Sequence, residues 1–123
     1  MTLSGAMLFV KDLPRMVDFY RGVLGLRPVE ETRLPDWVEF HGEARLSLHA
    51  IPAAIAAGIS IESPPRPREQ GGPKLTFTVA DVDATLAAIE GMGLPLLRRP
   101  WGSVDAVDPE GNIFALQPAK HST

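Results

Sequence analysis

The sequence predicts an α+β fold: two tandem βαβββ modules, with mixed sheets curving around a central trough and helices on the outer face. Three observations predict it. The chain repeats itself: "VKDLPRMVDFYRGVLGL" begins at Val10 and "VADVDATLAAIEGMGL" at Val79, and both run from a strand end through Val-x-Asp-apolar into a helix and a Gly-Leu stop. Asp12 corresponds to Asp81, an offset of 69, and Gly25-Leu26 to Gly93-Leu94, an offset of 68. Around both helices lie short runs that alternate apolar and polar residues, the period of a half-buried strand. Between the copies lies "ESPPRPREQGGP", residues 62–73, rich in proline, glycine and charge. The expected organisation is one domain over residues 1–123, with modules 1–58 and 74–119 joined by a linker or flap at 59–73. A helix covers one face of each sheet, and the other faces of the two sheets together make the trough.

Each element has a local reason. "SGAMLFVK" reads as the first strand. Asp12 caps the following helix, and Pro14 is tolerated in its first turn. Met16, Tyr20, Val23 and Leu24 form one helical stripe, and Gly25 ends it in a left-handed conformation. "RPVEET" reads as a strand, followed by a turn at Pro35-Asp36. "WVEFH" and "RLSLHA" read as a hairpin turning at Gly42-Glu43. In the second module "KLTFTVA" is a strand. Val82, Leu86 and Ile89 stripe a helix, and "LPLLRRP" is a short strand. "SVDAV" and "NIFALQP" flank the turn of "DPEGN". In that turn Asp108 begins the reversal, Pro109 sets φ, and Gly111 takes the positive φ, so its role is structural. His121 belongs to the terminal tail.

Composition excludes several function classes. The formal net charge is −3 and the basic residues are scattered, so there is no electrostatic nucleic-acid face. The chain has no cysteine, which excludes disulfides, thiolate nucleophiles and Cys-zinc sites. It shows neither a signal-peptide pattern nor a membrane-length apolar run, and a cytoplasmic protein is expected.

The repeated order and its punctuation resemble the vicinal oxygen chelate superfamily: glyoxalase I, extradiol dioxygenases, fosfomycin-resistance enzymes and bleomycin-resistance proteins. The matching pieces are "VKDLPRMVDFYRGVLGL", "KLTFTVADVDATLAAIEGMGL" and "PWGSVDAVDPEGNIFALQP", and the last looks most like the bleomycin-resistance branch. The metal enzymes of this superfamily chelate a divalent cation with four side chains. The resemblance carries those four positions to Gly5, Ser47, Lys74 and Ala115 in this chain. None is a usual ligand, and Lys74 brings a cation of its own. A divalent site needs three or four converging imidazole or carboxylate donors. No metal and no other cofactor is therefore expected, and neither is glyoxalase or dioxygenase activity.

The same positions set strand parity for the trough. Gly5 brings Met7 and Phe9 to it. Ser47 brings Arg45 and His49. Lys74 brings Thr76 and Thr78, and Ala115 brings Ile113 and Gln117. In "WVEFH" the apolar phase is Val38 and Phe40, which leaves Trp37, Glu39 and His41 on the trough side. Trp101 precedes the last strand pair, and Asp105 stands at mid-strand where an apolar residue is expected. His49 is expected to meet Glu39, Lys74 and the aromatic surface. Lys74 pairs with Glu39 or Asp105, or meets an anionic ligand. Asp105 caps a turn or pairs with Arg98 or Arg99. Each residue also has a plainer use: His49 as a pocket wall, Trp37 and Trp101 as core or dimer anchors, Lys74 as a solvated salt bridge.

Three functions follow as alternatives. The leading one is a metal-independent protein that sequesters a small aromatic or planar molecule in the trough. The second is a metal-independent enzyme using His49 as acid or base, helped by Glu39 or Asp105. The third is a metal enzyme with displaced ligands such as Glu39, His41 and His49. A homodimer is expected, as the resemblance implies, with isologous symmetry.

Overall fold

The computed structural model describes residues 1–119; His121 lies outside the described residues. Contacts divide the chain into two compact units, Met1–Ser60 and the remainder from Ile61. Among the described residues no helix is long and apolar enough to cross a membrane.

In the first unit, strand β1 (Gly5–Val10) leads into helix α1 (Leu13–Gly22), then β2 (Trp37–Phe40), β3 (Arg45–Ala50) and a short helix α2 (Ala53–Ala56). The Asp12 side chain accepts a hydrogen bond from the Arg15 backbone N–H at 3.1 Å, and proline stands in the first turn, as the sequence predicts. Gly25 ends the helix with φ +71°, while the Leu26 N–H donates to the Tyr20 carbonyl at 3.1 Å. The apolar stripe of α1, Met16, Val17, Phe19 and Tyr20, is buried and packs against β3. The sheet order is β1-β3-β2, with β1 parallel and β2 antiparallel to β3. Val10, Val38, Phe40, Leu46 and Leu48 fill the buried phase of these strands.

One expected strand is absent. "RPVEET" forms only an isolated bridge, Pro28 to Phe40, and then a 3-10 turn over Glu30–Thr32. Two backbone bonds hold that bridge, from the Val29 N–H to the Glu39 carbonyl at 2.8 Å and from the His41 N–H to the Arg27 carbonyl at 2.9 Å, and pairing ends where Glu30–Thr32 closes into the turn. The sheet therefore has three strands instead of four.

The second unit keeps all four: β4 (Leu75–Val79), β5 (Leu96–Arg98), β6 (Val104–Val107) and β7 (Ile113–Pro118), in the order β4-β7-β6-β5. Helix α3 (Val82–Gly91) follows β4, is capped by Asp81 and packs on β5 and β7. The "DPEGN" turn is structural, as expected. Asp108 Oδ1 accepts from the Glu110 and Asn112 N–H groups at 2.9 and 3.0 Å, and Gly111 has φ +91°. A Cβ at Gly111 would collide with the Arg66 carbonyl oxygen. The flap is thus seated on this turn rather than standing free, and the Arg68 N–H donates to the Gly111 carbonyl at 2.9 Å.

Candidate functional site

In the first unit the strand register sets side chains in rows on the phase opposite the buried one. Phe9, His49 and Trp37 make one row across β1, β3 and β2. The imidazole meets the Phe9 ring at 5.6 Å and the Trp37 ring at 5.9 Å, both edge to face. Phe9 is 60 % exposed, so the row presents apolar surface to solvent. Met7, Ser47 and Glu39 form the next row. Glu39 Oε1 accepts from Arg45 Nη1 at 2.7 Å and from Thr32 Oγ1 at 3.0 Å. The expectation that Glu39 meets His49 is corrected. The two sit in adjacent rows, and the carboxylate is drawn to the stronger, charge-assisted donor on its own side.

A different acid approaches His49. Asp36 Oδ2 stands 3.9 Å from His49 Nε2, while Nδ1 is buried with no hydrogen-bond partner among the described residues. In the sequence Asp36 has only a place in a turn. A signal was available, because Asp36 immediately precedes Trp37, and Trp37 faces His49 across the hairpin. Beside this pair opens a pocket of about 520 Å³. Lys11, Asp36 and His49 supply its polar wall, and Ile51, Pro52 and the alanines of α2 its floor. Lys11 Nζ donates to the Ile59 carbonyl oxygen.

In the second unit the corresponding rows hold other groups. Thr78 stands opposite Gln117, and Gln117 Nε2 donates to Thr78 Oγ1 at 3.0 Å. Thr76, Ala115 and Asp105 make the next row. Asp105 is only 2 % exposed, and its Oδ2 accepts from Arg99 Nε at 3.0 Å and Lys74 Nζ at 3.3 Å. Arg99 also reaches Glu69 of the flap at 3.0 Å. The hydrogen bonds that Arg99 donates to Glu69 and then to Asp105 hold its guanidinium above its ordinary pKa. Of the partners expected for Lys74, Asp105 is the one it takes, and of those expected for Asp105, Arg99 joins it. Ile113 is buried, paired with Val107, rather than open on the polar phase. Trp101 lies in the connection between β5 and β6 and is 74 % exposed.

The four positions that the family resemblance assigns to metal do not fit a divalent cation. A Cβ at Gly5 would collide with the Arg45 carbonyl oxygen, so no side chain fits there without a backbone shift. Ser47 is buried, Ala115 has no donor, and the Lys74 ammonium already engages Asp105. Among the described residues no group of three His, Cys, Asp or Glu is placed to hold a metal ion, and that includes Glu39, His41 and His49.

The repeated strand–helix–sheet units, with one mixed sheet each and matching rows, define a protein of the glyoxalase type. The chain belongs to the Glyoxalase/Bleomycin resistance protein/Dioxygenase superfamily, whose family profile matches residues 2–116. Two similar solved structures come from Agrobacterium tumefaciens. One is a protein of unknown function from strain C58, 27 % identical, with a TM-score of 0.65 over 98 % of this chain and 95 % of that one. The other is a lactoylglutathione lyase, also 27 % identical, with a TM-score of 0.61 over 96 % and 93 %. The fosfomycin resistance protein FosX from Mesorhizobium loti shares the fold at 20 % identity, with a TM-score of 0.64 over 97 % and 92 %. No curated protein matches the chain.

Proposed function

We propose that this protein binds a small planar organic molecule without a metal ion, in the manner of a bleomycin-resistance-type binding protein. The observation that carries the reading is the row of Phe9, His49 and Trp37, where two aromatic rings flank an imidazole on an exposed sheet face. An apolar surface with few polar handles suits a flat ligand. Met7 and Glu39 extend that surface in the first unit, with the buried Ser47 between them in register. In the second unit taken by itself the candidate contacts are Lys74, Thr76, Gln117 and the exposed Trp101, with buried Asp105 holding Lys74. The poor fit of Gly5, Ser47, Lys74 and Ala115 to a divalent ion supports a role without one. The working form in this reading is a cytoplasmic homodimer, checked by its elution as twice the chain mass in gel filtration at micromolar concentration.

Two tryptophans complicate a fluorescence test, so Trp101→Phe isolates Trp37. Titrating that variant with planar aromatic compounds quenches Trp37 emission to saturation at one equivalent, and the compound is recovered intact. Saturable binding with chemical conversion replaces sequestration by catalysis, and no quenching by any member of a broad aromatic set sinks the reading.

One observation favours a second reading, a metal-independent enzyme with His49 as acid or base: the Asp36 carboxylate lies beside the imidazole. That reading requires turnover that survives chelators and disappears in His49→Ala.

A further inference from the structure

The pocket in the first unit lies where β1 and β3 end and the chain turns into α2. Its three polar side chains come from three different segments. Lys11 follows β1, Asp36 precedes β2, and His49 stands on β3. The 3.9 Å between His49 Nε2 and Asp36 Oδ2 is too long for a hydrogen bond. It is short enough for one further atom to sit about 2.8 Å from both.

The state of the imidazole decides what that atom must be. Nδ1 is buried with no hydrogen-bond partner among the described residues, whereas Nε2 faces the Asp36 carboxylate, which attracts an N–H and repels a lone pair. The neutral ring therefore carries its proton on Nε2, toward the Asp36 carboxylate. An atom between the two must accept from Nε2–H and donate to the carboxylate. A hydroxyl does both. An ammonium has no lone pair to accept with, and a carbonyl, carboxylate or ether has no proton to give.

We infer that this pocket recognises a hydroxyl group, of an alcohol or a phenol, seated between His49 Nε2 and Asp36 Oδ2. The apolar body of the ligand lies on the floor of Ile51, Pro52 and the α2 alanines. Asp36 is then a positioning residue for His49 as well as a direct contact. Water has the same donor and acceptor pair, and a ligand hydroxyl that displaces it keeps both bonds, whereas an ether loses one. This inference rests on the proposed ligand-binding role and adds the chemical class of the ligand.

The test compares 1-naphthol with 1-methoxynaphthalene, which share their rings and differ at the hydroxyl. Both are titrated into the 123-residue chain and followed through its backbone amide NMR signals. The naphthol binds tighter by on the order of tenfold, the effect of two such hydrogen bonds on a wet site. Its shifts centre on residues 50–57. The preference disappears in Asp36→Ala and in His49→Phe; Asp36 is well exposed, so its loss leaves the core intact. In the free protein, imidazole nitrogen shifts place the neutral His49 proton on Nε2. Equal binding of the two compounds overturns the hydroxyl assignment and leaves aromatic binding standing. So does a preference that persists in both variants, or a proton on Nδ1. Failure of both compounds to bind overturns the assignment and counts against the proposed function together.

Discussion

Glu39 and Asp105 occupy matching places in the two units. Each stands on the strand antiparallel to its unit's central strand, opposite Ser47 in one case and Ala115 in the other. Each is neutralised by cations, but from different directions. Glu39 takes Arg45 from the neighbouring strand and stays partly open to solvent, at 15 % side-chain exposure. Asp105 takes Lys74 and Arg99, sinks out of solvent, and is tied through Arg99 to Glu69 of the flap. The next row diverges too: Phe9, His49 and Trp37 in the first unit, the Thr78–Gln117 hydrogen bond in the second. One scaffold thus supports an aromatic face in one copy and a polar lock in the other. The helices differ in the same sense. α1 buries Leu13, Met16, Val17, Phe19 and Tyr20, whereas α3 fully buries only Ile89.

The largest way to break this comparison is through the helices. Phe19→Ala removes a fully buried ring and is expected to cost about 3–5 kcal/mol in urea unfolding. Leu86→Ala on α3 is expected to cost about 1–2 kcal/mol, because Leu86 is only half-buried and leaves a smaller cavity. Equal losses would mean that α3 is held as firmly as α1.

Asp105 gives the second effect. Asp105→Ala leaves Arg99, and behind it Lys74, without the carboxylate that compensates them, and about 2–4 kcal/mol of stability is expected to be lost. The range is set below that for a fully buried pair because Lys74 is half-exposed. Limited proteolysis within residues 59–73 should accelerate in parallel, since Glu69 is held by the same guanidinium. A change below about 0.5 kcal/mol in the same urea experiment would show that Asp105 does not lock the sheet.

What was legible in the sequence was local or periodic. Asp12 and Asp81 announce their helices because a cap acts within four residues. The alternation in "RLSLHA" separates buried Leu46 and Leu48 from half-exposed His49. Much of the rest was set across the chain. "RPVEET" has strand-like residues, yet it pairs only at the Pro28–Phe40 bridge before Glu30–Thr32 closes into a turn. Helix α2 is four residues long with no side-chain cap, too short to carry a period. Asp36 comes to His49 only through the β2–β3 register together with the Leu34–Trp37 bridge. The division of cations between Glu39 and Asp105 depends on which long side chains reach which row, and parity alone gives the face without the partner.

The smallest effect sharpens the comparison most. In a double-mutant cycle of Glu39→Gln and Arg45→Met, the coupling is expected to be about 0.5 kcal/mol and to shrink as salt is raised from 0.05 to 0.5 M, both about the ordinary range for such tests. Arg45 is half-exposed, so most of the Coulomb attraction is screened and the long side chain loses rotamer freedom in making the pair. The matching cycle of Asp105→Asn and Lys74→Met is expected to give a coupling roughly twofold larger and less sensitive to salt, because one partner is buried. If the two couplings are equal and fall together with salt, burial of Asp105 adds nothing to its pairing. The different construction of the two rows would then play no part in how the sheets hold together.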